Sequence, residues 1–427
     1  MTMLTARPGN MLSGVAAIPG DKSCSHRALI IAAMAEGESI ITGLNEADDV
    51  MRTVAAIEAL GVAVERLGDT RWRVRGGPWT SPAGPIDCGN SGTTARLLIG
   101  AVAGMAGVSA TFTGDASLSK RPMKRIMAPL HRMGARIEGG DGLPLTVEGA
   151  MLGGIEYSNV PASAQVKSAI LLAGLSGTAP VRIVEPMPSR DHSEIMLGQF
   201  GCPVTIEASG IELAAERRLR GCAIAIAADP SAAAFALTAG AIVPGSSVTV
   251  EGMLVNPLRS GLYEALEEMG AVVALANERI LSGEIVADVT ISYRPLQGIT
   301  IAANRIPAMI DEIPALAIAA ALADGETLIE GLAEIRVKES DRLGAIISGL
   351  VACGVTALAD GDSLRIFGRG QARGGDVLSQ GDHRIAMAFL TLGMAADAPI
   401  MIDDGDMIAT SFSNFVESMR GIGAEIG

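Results

Sequence analysis

Lys22, Arg27, Arg96, Lys167 and Arg384 all fall in, or just inside, the first turn of a segment patterned as a helix. A cation there opposes the positive end of the helix dipole. A bound anion removes that conflict, because helix N-terminal N–H groups and a nearby Lys or Arg both favour negative charge. Several such ends meeting in one cleft would hold a ligand with more than one anionic group. A plain Ser, Asp or Asn cap accounts for any one of these starts taken singly; the accompanying cations set them apart.

The elements that must position these residues repeat along the chain. The Ala-rich openings read GDKSCSHRALIIAAMA, GNSGTTARLLIGAVAG, PASAQVKSAILLAGL, DPSAAAFALTAGAIV, MIDEIPALAIAAALA and QGDHRIAMAFLTLGMA. Each is followed by a Gly- or Pro-containing turn and an alternating, strand-like stretch such as VSATFTG or SVTVEGM. A second helical pattern then ends on a bulky residue, a Gly and a small residue, with glycines at 61, 134, 201, 270, 354 and 423. Gly just past a helix fits a left-handed cap, and six such junctions at near-constant spacing predict six α/β units. Three units per domain is the natural division, with a boundary near Ala228 to Ser231. The chain thus reads as residues 1–19 plus 230–427 in one discontinuous domain and 20–229 in the other.

Composition narrows the class. A length of 427 residues exceeds what one core usually supports. Hydrophobic residues make up 49% and aromatics only 3%, so the core is built from Ala, Leu, Ile, Val and Met. A formal charge of −14 argues against a general nucleic-acid binder, so cationic sites must be local. The five cysteines form no CxxC spacing and fit a reduced cytoplasmic protein. The opening MTMLTARPGN lacks the apolar core of a signal peptide, and the longest apolar run is too short to span a bilayer; no membrane association is expected. No phosphate-binding GxxxxGK[ST] loop or GxGxxG is present, and none of the four histidines has metal-ligand spacing. Neither a metal nor another cofactor is expected.

The segments PGDKSCSHR, CGNSGTTARLL, GDASLSKRPM, SAQVKSAILLAG, SRDHSE, IDEIPALAIAAA, IRVKESDRL and GDHRIAMAF resemble, in order, motifs of the 5-enolpyruvylshikimate-3-phosphate synthase family. The resemblance runs from about Pro19 to Phe415. It implies two similar domains of three α/β units each, of the inside-out α/β barrel type, with the active site in the interdomain cleft. It also implies transfer of the enolpyruvyl group of phosphoenolpyruvate to the 5-hydroxyl of shikimate 3-phosphate, with release of phosphate.

The same resemblance assigns site residues. Lys22, Ser23 and Arg27 would form an anion site shared by both substrates. Asn90, Gly92 and Thr93 would form a tight turn against phosphoenolpyruvate, and Arg121, Arg342 and Arg384 would hold its phosphate and carboxylate. Ser163, Ala164, Gln165 and Arg190 resemble the shikimate 3-phosphate site, with Gln165 also reaching phosphoenolpyruvate. Asp311 and Glu339 match an acid–base pair, with Lys338 and Lys22 beside them. Asp311 and Lys338 would also touch shikimate 3-phosphate, and Lys22 phosphoenolpyruvate. A monomer inhibited by glyphosate is expected on the same grounds.

Departures from the family pattern are Thr410, where many members carry Lys, and Ala164, where many carry Ser. A UDP-N-acetylglucosamine enolpyruvyl transferase normally has a reactive cysteine in the loop matching GDASLSKRPM, yet no cysteine lies between Cys88 and Cys202. A non-catalytic sugar-phosphate binder would need neither Asp311 nor Glu339.

Overall fold

The computed structural model describes residues 2–207 and 210–427. They form two compact units. A central unit comprises Gly20–Ile226 together with Leu281–Glu284, and a flanking unit holds the residues through Pro19, Ala227–Ile280 and Ile285–Gly427. Ala228 and Asp229 belong to the flanking unit, where Ala228 N donates to Gly252 O and Asp229 N to Pro19 O.

The central unit contains helices α1 (Lys22–Met34), α2 (Asp48–Ala59), α3 (Gly92–Ala103), α4 (Lys124–Arg132), α5 (Ala164–Gly174) and α6 (His192–Gln199). The flanking unit contains α7 (Pro230–Ile242), α8 (Gly261–Glu268), α9 (Ile313–Ala321), α10 (Arg342–Ala352), α11 (His383–Gly393) and α12 (Phe415–Gly421). Each unit carries three four-stranded sheets. A sheet starts from one parallel pair and continues antiparallel, as where Ile155–Ser158 lies parallel to Val181–Val184, followed by Gly210–Leu213 and Val204–Glu207. Chain ends close the repeats. Ala223–Ala225 pairs with the early strand Gly37–Thr42, and Leu4–Arg7 pairs with strands near residues 400 and 426. Six α/β units are therefore present, as the junction glycines predict.

Those glycines at 61, 134, 201, 270, 354 and 423 all have positive φ and follow the even-numbered helices. This is the left-handed conformation a side chain resists. The odd-numbered helices are the Ala-rich ones and are buried nearly all round; every residue of α7 and α9 is buried. Small residues let their backbones approach closely. A β-carbon at Gly100 of α3 would lie 2.5 Å from the carbonyl oxygen of Ala169 on α5, so only Gly fits that crossing. The even-numbered helices bury one face, as α2 does through Val50, Thr53, Val54, Ala56 and Ile57. The inner helices thus form each unit's core, and their N-termini carry the cations. No helix among the described residues is long and apolar enough to cross a membrane.

Candidate active site

In the central unit, one cluster gathers around the start of α3. Ser91 caps the helix by accepting from Thr94 N, which places Gly92 and Thr93 in its first turn. Thr93 Oγ1 accepts from Gln165 Nε2 at 2.9 Å, and Gln165 Oε1 accepts from Arg96 NH1 at 2.8 Å. Asn90 Oδ1 accepts from Arg121 NH2 at 2.6 Å, while its own amide donates to Asp115 at 2.7 Å. Gly92 lies between the two arginines: a β-carbon there would be 2.9 Å from Arg96 NH1 and 3.5 Å from Arg121 NH1. The structure therefore brings Asn90, Gly92, Thr93, Arg121 and Gln165 together with Arg96, one of the cations singled out at the helix starts.

The same unit holds α1, capped by Asp21 Oδ1 accepting from Cys24 N. Lys22 Nζ pairs with Asp49 at 2.9 Å. Ser23, Ser163, Ala164 and Arg190 are half-buried, and Ser163 caps α5. Arg27 is buried, donating to Ser193 Oγ, Ser168 Oγ and the carbonyl of Ser23 at 2.8–2.9 Å. These bonds tie its guanidinium to α1, α5 and α6. Burial pulls its guanidinium below its usual value, and nearby Arg190 adds to the effect.

The reading of Lys167 as an anion-seeking cation fails. Its ammonium is 1% exposed and pairs with Glu185 at 2.8 Å and Glu194 at 2.7 Å. Burial raises the Glu194 carboxyl despite the opposing pull of Lys167. The histidines, whose partners the sequence does not reveal, have structural ones. His26 Nδ1 meets Thr53 Oγ1 at 2.7 Å, the first link of a buried chain through Thr94 to Ser91. Burial, reinforced by Lys22 and Arg27, holds His26 well below 6.5 and so neutral. His192 Nδ1 meets Glu284 Oε1 at 2.7 Å, and His131 Nδ1 meets Ala135 O at 3.1 Å. Asp21, Cys24 and His192 bring ligand-type atoms within 4.8 Å of one another. Asp21 and His192 are already engaged there as a cap and in the bond to Glu284.

In the flanking unit, a second cluster forms around Arg342, the first residue of α10, whose side chain is 1% exposed. Its Nε donates to Asp382 Oδ2 at 2.8 Å, its NH1 to Asp311 Oδ1 at 3.5 Å, and its NH2 to Glu339 Oε2. Burial alone would lower this guanidinium; Asp382, Glu339 and Asp311 outweigh it and hold it above its usual range. Lys338 Nζ lies 4.0 Å from Asp311 Oδ1. Arg384 NH1 donates to the Asp311 carbonyl at 2.8 Å, and Asp382 caps α11 by accepting from Arg384 N. Asp311, Lys338, Glu339, Arg342 and Arg384 are thus one connected group. Asp382, which joins Arg342 to the start of α11, went unassigned although it directly precedes the HR of GDHR. Thr410 donates its hydroxyl to the carbonyl of Met407 and brings no charge.

The family model for EPSP synthase (3-phosphoshikimate 1-carboxyvinyltransferase) matches residues 6–419, nearly the whole chain. The chain belongs to the EPSP synthase family. It is 48% identical over 436 residues to the 3-phosphoshikimate 1-carboxyvinyltransferase of Caulobacter vibrioides (strain NA1000 / CB15N), covering 99% of this chain and 98% of that one. It is 50% identical to that of Phenylobacterium zucineum (strain HLK1), with 99% and 95% covered. Among solved structures, EPSP synthase from Acinetobacter baumannii superposes with a TM-score of 0.89 at 40% identity, both chains covered in full. The enolpyruvyl transferase NikO from Streptomyces tendae shares the fold, with a TM-score of 0.78 at 19% identity, 100% of this chain and 98% of that one covered.

Proposed function

We propose that the residues of the two clusters carry out the reaction of a 3-phosphoshikimate 1-carboxyvinyltransferase: the enolpyruvyl group of phosphoenolpyruvate passes to the 5-hydroxyl of shikimate 3-phosphate, and phosphate leaves. The observation that carries this is the shared guanidinium of Arg342, which holds two carboxyl groups, Asp311 and Glu339, as a pair. The reaction moves two protons, one off the attacking hydroxyl and one onto C3 of phosphoenolpyruvate. A pair of carboxyls beside Lys338 suits both transfers.

Lys22, Asn90, Gly92, Thr93, Arg121, Gln165 and Arg384 bind phosphoenolpyruvate, and Arg342 serves it through the carboxyls it holds. Ser23, Ser163, Ala164, Gln165, Arg190 and Lys338 bind shikimate 3-phosphate, with Arg27 supporting Ser23. After the hydroxyl attacks C2, the tetrahedral adduct expels phosphate, and Arg121, Arg384 and Lys22 stabilise the departing anion. Glyphosate competes in the phosphoenolpyruvate subsite, and the enzyme works as a cytoplasmic monomer. A coupled assay of phosphate release tests the reading. Release must require both phosphoenolpyruvate and shikimate 3-phosphate; binding of shikimate 3-phosphate with no release would make the chain a binding protein.

A further inference from the structure

Glu312, next to the proposed acid–base residue, is 2% exposed and opens the wholly buried α9. A carboxyl in such surroundings is costly unless well bonded, and an apolar residue there would pack at lower cost. Its partners are specific. Ser231 Oγ, in the first turn of α7, bonds to Glu312 Oε1. Arg259 NH2 donates to that Ser231 hydroxyl at 2.8 Å and lies 3.8 Å from Glu312 Oε1. Arg259 and Ser231 are 2% and 3% exposed, so all three side chains are buried. Asp229, 3.3 Å from Arg259 NH2, gives the guanidinium a second partner.

We propose that Arg259, Ser231 and Glu312 are positioning residues that act through the main chain of Asp311; this rests on the acid–base role given to Asp311 above. The peptide at 311–312 is held from several directions. Arg384 NH1 donates to the Asp311 carbonyl at 2.8 Å, Glu312 N donates to Met309 O at 2.9 Å, and the Glu312 side chain is fixed by Ser231. These attachments set the direction in which the Asp311 carboxyl projects. A displacement of an ångström at a reacting group is enough to cost about 10²-fold in rate. The relay is thus a second support for Asp311, beside the one formed by Arg342 and Arg384, and built from buried residues.

The test compares Glu312→Ala, Glu312→Gln and Ser231→Ala in the full chain, with kcat and both KM values measured. Glu312→Ala lowers kcat by about 10- to 10²-fold with both KM values changed less than about threefold. Glu312→Gln keeps an acceptor for Ser231 and recovers most of the loss. Ser231→Ala, a change too small to unfold the chain, lowers kcat several-fold in the same pattern. In an Asp311→Ala background, Glu312→Ala has no further effect. Parent-like kcat in both Glu312→Ala and Ser231→Ala overturns the relay, as does a loss that persists undiminished in the Asp311→Ala background. Near-normal turnover of Asp311→Ala alone removes instead the acid–base reading on which the relay rests, so the two failures are told apart.

Discussion

The clusters around Arg121 and around Arg342 use the same side chain in opposite ways. Arg96 and Arg121 donate to neutral oxygens of Gln165, Asn90 and Ser117, which orient the guanidinium groups. Arg342 donates to Asp382, Asp311 and Glu339, and its charge is consumed in holding carboxyl groups together. The first arrangement suits capture of an anion, the second proton transfer. Arginine type in a motif therefore does not fix its role; the charge of its partners does.

Replacing each arginine by methionine breaks the comparison most directly. Arg342→Met leaves three carboxyl groups without their common partner and should cost about 3–5 kcal/mol, read by chemical denaturation. Arg121→Met removes its bonds to Asn90 and Ser117 and should cost less, about 1 kcal/mol for each bond lost, while weakening phosphoenolpyruvate binding by about 10- to 10²-fold. Equal losses of stability in the two variants would erase the distinction.

Gly92→Ala probes the capture side more gently. The added methyl first meets Arg96 NH1, 2.9 Å away, the movable end of a long side chain. The shift costs about 1–3 kcal/mol if the cluster is packed like a core. Glyphosate is longer than phosphoenolpyruvate and so loses more. The inhibition constant for glyphosate should rise by a larger factor than the KM for phosphoenolpyruvate; identical factors would place Gly92 away from the subsite.

The smallest effect is on pH dependence. His26, beneath the start of α3, is held neutral well below its ordinary 6.5. As pH falls below about 6.5, the unfolded chain gains a proton that the folded one resists, so stability is lost by up to about 1.4 kcal/mol per pH unit. His26→Gln should remove that part of the slope between pH 6.5 and 5 while leaving the carboxylate-driven part at lower pH. An unchanged slope would assign the acid sensitivity elsewhere.

The repeats were legible because each even-numbered helix ends on a Gly forced to positive φ, a requirement written in one residue type. The inner helices were legible from their Ala-rich, charge-poor sequences. The first-turn cations were not separable by sequence. Lys167 and Arg96 look alike at helix starts, yet Lys167 is neutralised by Glu185 and Glu194, 18 and 27 positions onward, while Arg96 donates to the side-chain oxygen of Gln165. Arg27 was hidden for the same reason, since its partners Ser168 and Ser193 come from other units of the repeat. Nor did any local signal mark residues 281–284 as part of the central unit; that follows from bonds such as Ala225 N to Ser282 Oγ.

The Arg342 cluster should supply proton transfer while capture of the anion rests mainly elsewhere. This is tested by measuring turnover and shikimate 3-phosphate affinity on the same preparations of Asp311→Ala and Glu339→Ala, by phosphate release and by titration calorimetry. Turnover should fall by about 10²-fold or more in each, while the dissociation constant changes by less than about tenfold. Affinity lost in step with turnover, or turnover near that of the parent, would contradict it.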